Sequence, residues 1–196
     1  MVPFVGLTGG MGAGKSTALS TLEDLGAQVL STDAVVHELY GDEQVRRAVV
    51  ERWGAEVAPG GVVDRAVVAA RAFAGGEAER RWLEGLLWPL VGARIAGWLE
   101  HVRALQPAPK AAVVEVPLLF EAGMEAGFDA TIAVIAEEGM RSQRAAGRGH
   151  ALPDERVARQ LSQEEKAQRA TFVVHNDGTE GDLRRELTAV LGKLLG

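Results

Sequence analysis

Gly9-Gly10-Met11-Gly12-Ala13-Gly14-Lys15-Ser16 has the spacing G-x-x-x-x-G-K-[ST]. Glycines at these positions let successive backbone N–H groups turn inward around phosphate oxygens without Cβ clashes. A helix beginning near Lys15 adds the positive end of its dipole. Lys15 brings an ammonium to the β- and γ-phosphates, and Ser16 brings a hydroxyl to Mg²⁺. Gly10, Met11, Gly12, Ala13, Gly14, Lys15, Ser16 and Thr17 are therefore the candidate nucleotide-binding residues, with ATP and Mg²⁺ as donor and metal. The competing reading is a plain Gly-rich turn capping a helix. The context favours the cradle: the apolar run Val2–Leu7 precedes it and helical Ser16–Leu25 follows.

Such a loop does not choose between kinase, motor and switch. The D-x-x-G and N-K-x-D signatures of a GTPase are absent, and the chain of 196 residues is short for a motor. Other residues supply what a small-molecule kinase needs. Asp33 follows the second strand, where doubly wound folds place ligands, and a carboxylate there accepts or orients a hydroxyl proton. Its competing reading is a helix N-cap in Ser31-Thr32-Asp33. Glu115 follows the strand Ala111–Val114 and, with Ser16, is the candidate Mg²⁺ shell; a strand-end acid paired with a neighbouring base is the alternative. Arg141, Arg144 and Arg148 recur at i, i+3 and i+7 on one helix face. A solvated basic face is the usual meaning of such a row. Here a Gly-containing loop and a second helix follow, as in a hinged lid, so Arg144 and Arg148 are favoured over Arg141 as charge-neutralising groups. The catalytic set is Lys15, Asp33, Arg144 and Arg148, with His37 a candidate acceptor contact. In Pro117-Leu118-Leu119-Phe120-Glu121, the apolar residues are either core or a hydrophobic lip beside the crevice.

The elements that must hold these residues are short apolar strands alternating with helices, the pattern of a parallel sheet covered on both faces. Ala27–Ser31, Ala111–Val116, Ala130–Ala136 and Thr171–His175 read as buried strands. Asp42–Trp53, Asp64–Ala74, Glu137–Gly147, Pro153–Ala170 and Gly181–Leu195 read as helices. Glu77–Leu105 is a long amphipathic stretch that Pro89 should kink or divide. The expected fold is α/β: a P-loop NTPase-type parallel sheet between helices, with helical substrate-binding and lid subdomains. A core of about 1–34, 107–136 and 171–196 would carry an acceptor-side helical region at about 35–106 and a lid at about 137–170.

Composition sets limits. Lys and Arg total 21 against 27 Asp and Glu, a net charge of −6, which argues against coating nucleic acid. With no cysteine there are no disulfides or thiolate sites, which suits a reducing compartment. The apolar runs stop at Glu115 and Glu121, well short of a spanning helix, and no basic leader precedes Lys15. A cytoplasmic protein without nucleic-acid or membrane partners, monomeric or weakly self-associating, is expected.

Taken together, the motifs resemble the dephospho-coenzyme A kinase family from end to end. The opening Gly6–Thr17 looks like that family's P-loop, and Asp33 falls on its catalytic aspartate. Val63-Asp64-Arg65 with Phe73, Leu83-Glu84 with Pro89-Leu90-Val91, and above all Val116–Glu121 are similar to its motifs. Arg144, Arg148, Gln163, Lys166 and Asn176-Asp177-Gly178 follow its C-terminal pattern. Ser31, Trp88, Glu115 and Gly149 depart from it, standing where the family usually has an acid, a histidine, an aspartate and an aspartate. Trp88 is expected to be core packing. The resemblance implies transfer of the ATP γ-phosphoryl to the ribose 3′-hydroxyl of dephospho-coenzyme A, the last step of coenzyme A synthesis. It implies acceptor contacts among Asp33, His37, Leu118, Leu119, Phe120 and Glu121, and an adenine-side loop at Asn176 and Gly178. The alternatives are a kinase of nucleoside monophosphates or other small molecules, and an ATP-binding regulatory switch.

Overall fold

The computed structural model describes residues 1–147 and 160–196. In chain order the elements are β1 (Phe4–Gly9), α1 (Lys15–Asp24), β2 (Gln28–Ser31), α2 (Thr32–Leu39), α3 (Glu43–Trp53), α4 (Arg65–Ala74) and α5 (Gly76–Ala104). There follow β3 (Ala112–Glu115), β4 (Ala130–Ile135), α6 (Glu138–Gly147), α7 (Gln163–Arg169), β5 (Phe172–His175) and α8 (Glu180–Leu195).

The strands form one sheet in the order β2-β3-β1-β4-β5, and every neighbouring pair is parallel. Parallel neighbours need crossovers, and the helices supply them. Strand alternation assigns the two faces. Val5, Leu7, Val113, Ile132 and Val134 share one core cluster with Ala18 and Leu22 of α1 and Leu183, Leu187 and Leu191 of α8. Each large apolar side chain buried there contributes about 1.5–3 kcal/mol. Phe4, Gly6 and Thr8 face the other way. Phe4 packs on Phe128 with ring centroids 4.6 Å apart, Leu119 lies against Gly6, and Lys166 of α7 reaches Thr8. Both faces are covered, which is why the central strands are mostly apolar on both faces. The registers Ser31–Glu115, Leu7–Glu115 and Ile135–His175 bring the carboxyl ends of the strands to one edge. In such sheets that edge is where ligands bind.

The chain divides into two compact units, one of Met1–Ser31 with Leu99–Gly196, the other Thr32–Trp98. The second has its own core of Val49, Val57, Val63 and Val68, backed by Trp53, Trp82, Leu83 and Leu86. Asp42 caps α3 by accepting from the Gln44 N–H, and Asp64 caps α4 by accepting from Ala66 and Val67. Glu79 accepts from Trp53 Nε1 at 2.8 Å and Arg52 Nε at 3.0 Å. The Arg52 hydrogen bond holds the Glu79 carboxyl below its usual value.

Several expectations change. β2 is not buried: it is the edge strand, with Gln28 exposed. α5 runs unbroken through Pro89. The carbonyl that loses its partner belongs to Gly85, an exposed residue, so the lost bond does not leave a polar group buried in the core. Trp88 is 51% exposed rather than core. Residues 160–162 are not helical, and Ser162 instead caps α7 in a capping box with Glu165. Arg148, the loop 148–150 and the predicted helical residues 153–159 lie outside the described residues.

Candidate active site

The phosphate cradle is built at the carboxyl end of β1. Ala13 N–H closes a turn onto the Gly10 carbonyl at 3.2 Å, and Gly14 caps α1 without any side-chain acceptor. The first-turn amides of α1 therefore carry no side-chain cap, which leaves the helix's positive end open to an anion. Gly14 has φ 93, and a Cβ there would overlap the Asn176 amide; Gly12 has φ 75, and a Cβ there would overlap the Arg141 carbonyl. Glycine is required twice over at both positions, by conformation and by space.

Those neighbours brace the loop from outside. Asn176 is 7% exposed and donates its Nδ2 to the Ala13 carbonyl at 2.8 Å, while its own N–H donates to Ile135. Arg144 donates to the Asn176 carbonyl at 3.0 Å. Arg141 donates its Nε to the Met11 carbonyl at 3.0 Å and pairs with Glu138 at 2.6 Å. Lys15 Nζ donates across the loop to the Gly10 carbonyl at 3.1 Å. Asp177 accepts the Glu137 N–H, joining the turn after β5 to the turn after β4. Beside this loop lies a cavity of about 600 Å³, lined by Gly10, Ala136, Glu138, Arg141, Gln163 and Asp177 among others. That volume is within the range of small-ligand sites. Gln163 shapes its wall by exchanging both hydrogen bonds with the Ala136 backbone at 2.9 Å.

The expected metal-shell residues are in the same unit. Ser16 is exposed in the first turn of α1, followed by the half-buried Thr17. Glu115 is the last residue of β3, 7% exposed and in register with Leu7 of β1. It therefore belongs to the strand rather than following it.

Sequence reasoning ranked Arg141 below Arg144, yet Arg141 is the arginine that touches the cradle backbone. Composition and spacing do not reveal a second feature, the burial and pairing of Lys166. Lys166 is fully buried, and its Nζ lies 2.8 Å from Glu121 Oε1, 3.1 Å from the Pro117 carbonyl and 3.5 Å from the Thr8 hydroxyl. Glu121 also accepts the Leu161 N–H at 2.9 Å. Glu121 is thus a structural partner here. Leu119 and Phe120 are 0% and 2% exposed, so they are core and not an exposed lip; Leu118 alone of the three is half-buried. The only sequence signal for Lys166 was its place in the family pattern.

Asp33 and His37 belong to the other unit. Asp33 is exposed in the first turn of α2, two residues past the end of β2. It is inside the helix and not at its cap. His37, one turn on, is also exposed.

Three comparisons bear on this geometry. The family model described as dephospho-CoA kinase matches residues 3–182. A dephospho-CoA kinase of Deinococcus radiodurans is 38% identical over 97% of this chain and 91% of its own length. The crystal structure of TT1252 from Thermus thermophilus is 32% identical with a TM-score of 0.82, covering 100% of both chains. A dephospho-CoA kinase from Campylobacter jejuni, 22% identical, has a TM-score of 0.71 over 99% of this chain and 98% of its own, which supports the fold. With a P-loop braced at the carboxyl edge of a parallel sheet and a match across nearly its whole length, the chain belongs to the dephospho-CoA kinase family.

Proposed function

We propose that this kinase transfers the γ-phosphoryl group of ATP to the ribose 3′-hydroxyl of dephospho-coenzyme A, giving coenzyme A and ADP. The observation that carries this reading is the glycine loop of residues 9–16, held open at the start of α1 by Asn176, Arg141 and Arg144 in a chain of this family. The bond between the γ-phosphorus and the ADP oxygen breaks, and the bond from the acceptor 3′-oxygen to phosphorus forms. Asp33 orients the hydroxyl and takes its proton. The α1 amides and the Lys15 ammonium hold the triphosphate, with Lys15 exchanging the Gly10 carbonyl for phosphate oxygen. Arg144, together with Arg148, neutralises charge spreading over the transferred group. The Asn176–Gly178 turn supports the adenosine side of the cavity.

The donor set fits Mg²⁺. One hydroxyl (Ser16) and one nearly buried carboxylate (Glu115) at the sheet's carboxyl edge suit a cation that takes its remaining ligands from phosphate and water. When bound, Mg²⁺ neutralises charge shared by the β- and γ-phosphates. The region 35–106 is read as the acceptor side, 137–170 as the lid, and the remaining segments, about 1–34, 107–136 and 171–196, as the nucleotide-binding core. No helix among the described residues is long and apolar enough to cross a membrane. The enzyme is read as cytoplasmic and monomeric or weakly self-associating. A nucleoside monophosphate kinase or a non-catalytic switch is not favoured by the family match. The test is a panel of acceptors incubated with Mg-ATP, with products weighed by mass spectrometry. Dephospho-coenzyme A should gain one phosphoryl group; phosphorylation of nucleoside monophosphates with dephospho-coenzyme A left unchanged would overturn the assignment.

A further inference from the structure

A second cavity, of about 420 Å³, lies wholly within the Thr32–Trp98 unit. Its lining includes His37, Tyr40, Glu43, Arg46, Val62 and Arg65. Resting on the function proposed above, we infer that this cavity binds the acceptor's 5′-diphosphate through Arg46 and Arg65, with the organic arm beyond the diphosphate passing over Val62.

The charge pattern asks for an anion. Among the described residues no ion pair involves Arg65. Among the described residues Arg46 makes an ion pair only with Glu43, at 4.0 Å, and Glu43 sits closer to Arg47, at 3.1 Å. Two guanidinium groups thus converge on one cavity with a single shared acid, and His37 adds a further nitrogen donor. Guanidinium planes match phosphate oxygens in a two-pronged geometry. The amides at the start of α4 do not provide this attraction, because the Asp64 side chain already occupies those of Ala66 and Val67. The arginine side chains are therefore the anion-binding groups. Val62 is 73% exposed at the rim, an apolar surface that a free phosphate has no use for and an extended organic arm does.

The placement along α2 supplies a second, independent argument. Asp33 and His37 are four residues apart on one helix face, about 6 Å along the axis. A ribose spans a comparable distance between its 3′-oxygen and its 5′-phosphate. An acceptor with its 3′-hydroxyl at Asp33 therefore places its diphosphate at the His37 end of the helix, where the arginines line the cavity. The ligand class that uses both ends is a nucleoside 5′-diphosphate ester with a free 3′-hydroxyl.

The experiment compares the full-length wild type with Arg46→Gln, Arg65→Gln and Arg65→Lys, measuring kcat and KM for dephospho-coenzyme A at saturating Mg-ATP. Arg65 is exposed and Arg46 half-buried, and circular dichroism checks each fold. Arg46→Gln and Arg65→Gln should each raise KM at least tenfold, with a much smaller fall in kcat, and Arg65→Lys should recover part of the loss. An unchanged KM in both Gln variants overturns the site. So does a fall in kcat without a rise in KM, because that marks a structural role. A wild type that leaves dephospho-coenzyme A unphosphorylated refutes the functional reading itself, whereas an active wild type with insensitive variants refutes only the diphosphate site.

Discussion

Lys166→Met removes the ammonium from a site closed to solvent. Lys166 is 0% and Glu121 12% exposed at the side chain, and the pair is 2.8 Å apart. The substitution keeps an unbranched chain of similar length, so the core volume is nearly preserved. What is lost is the partner of Glu121 and the donor to the Pro117 carbonyl. Thr8 keeps its own bond to Pro117 at 3.2 Å. Breaking a buried pair by removing one partner costs about 3–5 kcal/mol, a large part of the roughly 5–15 kcal/mol that holds a typical domain together. Adding Glu121→Gln removes the stranded charge while keeping an oxygen for the Leu161 N–H. The double variant should therefore recover about 2 kcal/mol or more relative to Lys166→Met. Urea unfolding reads these values. All four tryptophans lie within Thr32–Trp98, so indole fluorescence follows that unit, and far-ultraviolet circular dichroism follows the whole chain. The circular dichroism transition should carry the loss. A Lys166→Met variant within about 1 kcal/mol of wild type, or two single effects that simply add, would show that the buried pair is not what joins α7 to the loop after β3.

Asp33→Asn should retain ATP binding by calorimetry and lose most turnover, by about 10²-fold or more; undiminished turnover would remove Asp33 from the mechanism. Gly14→Ala should fold, because the strain at φ 93 is about 1–2 kcal/mol. It should nonetheless weaken ATP binding at least tenfold, because the new methyl displaces the Asn176 amide from Ala13, and equilibrium dialysis measures this. Acid should destabilise the fold in a definite window. Glu79, Glu125 and Asp182 all have carboxyl values lowered in the folded state: Glu79 first by the Arg52 hydrogen bond, Glu125 by its own backbone N–H and Asp182 by the Thr179 hydroxyl. Their contribution is complete above the unfolded carboxylate range near about pH 4 and lost as pH falls through the lowered folded values. The thermal midpoint should be level from neutrality to about pH 5 and drop below about pH 4, less steeply in Glu79→Gln.

What could be read from the chain was local. The glycine spacing and the helical runs Asp42–Trp53 and Asp64–Ala74 each depend on residues a few positions apart, and those two helices begin within one residue of the predicted positions. What escaped depended on partners distant in sequence. Gln163–Arg169 has the composition of a solvated helix, and nothing inside it marks Lys166 as buried; its partners are Thr8, Pro117 and Glu121. The arginine row on α6 was legible as a face. That Arg141 rather than solvent meets the Met11 carbonyl follows only from the β4–β1 pairing, which carries α6 to the loop. Trp88 was misread because its neighbours are apolar, though helix phase turns it outward while Leu87 and Val91 go in.

The cradle's geometry is therefore not a property of its eight residues alone. A glycine loop by itself is conformationally loose, and ordering it costs about 1–2 kcal/mol per residue. Here the ordering is met in advance by three residues from two later segments, Arg141 and Arg144 of α6 and Asn176 after β5, each donating to a backbone carbonyl in the loop or the turn behind it. Carbonyls held outward leave amides inward, so the same hydrogen bonds that stiffen the loop also aim its donors at the anion. Lys15 already reaches across the loop to the Gly10 carbonyl, so its ammonium is held beside the cradle where a phosphate oxygen would offer it a charged acceptor. It follows that loss of the Arg141 brace should appear in ATP binding before it appears in the chemical step.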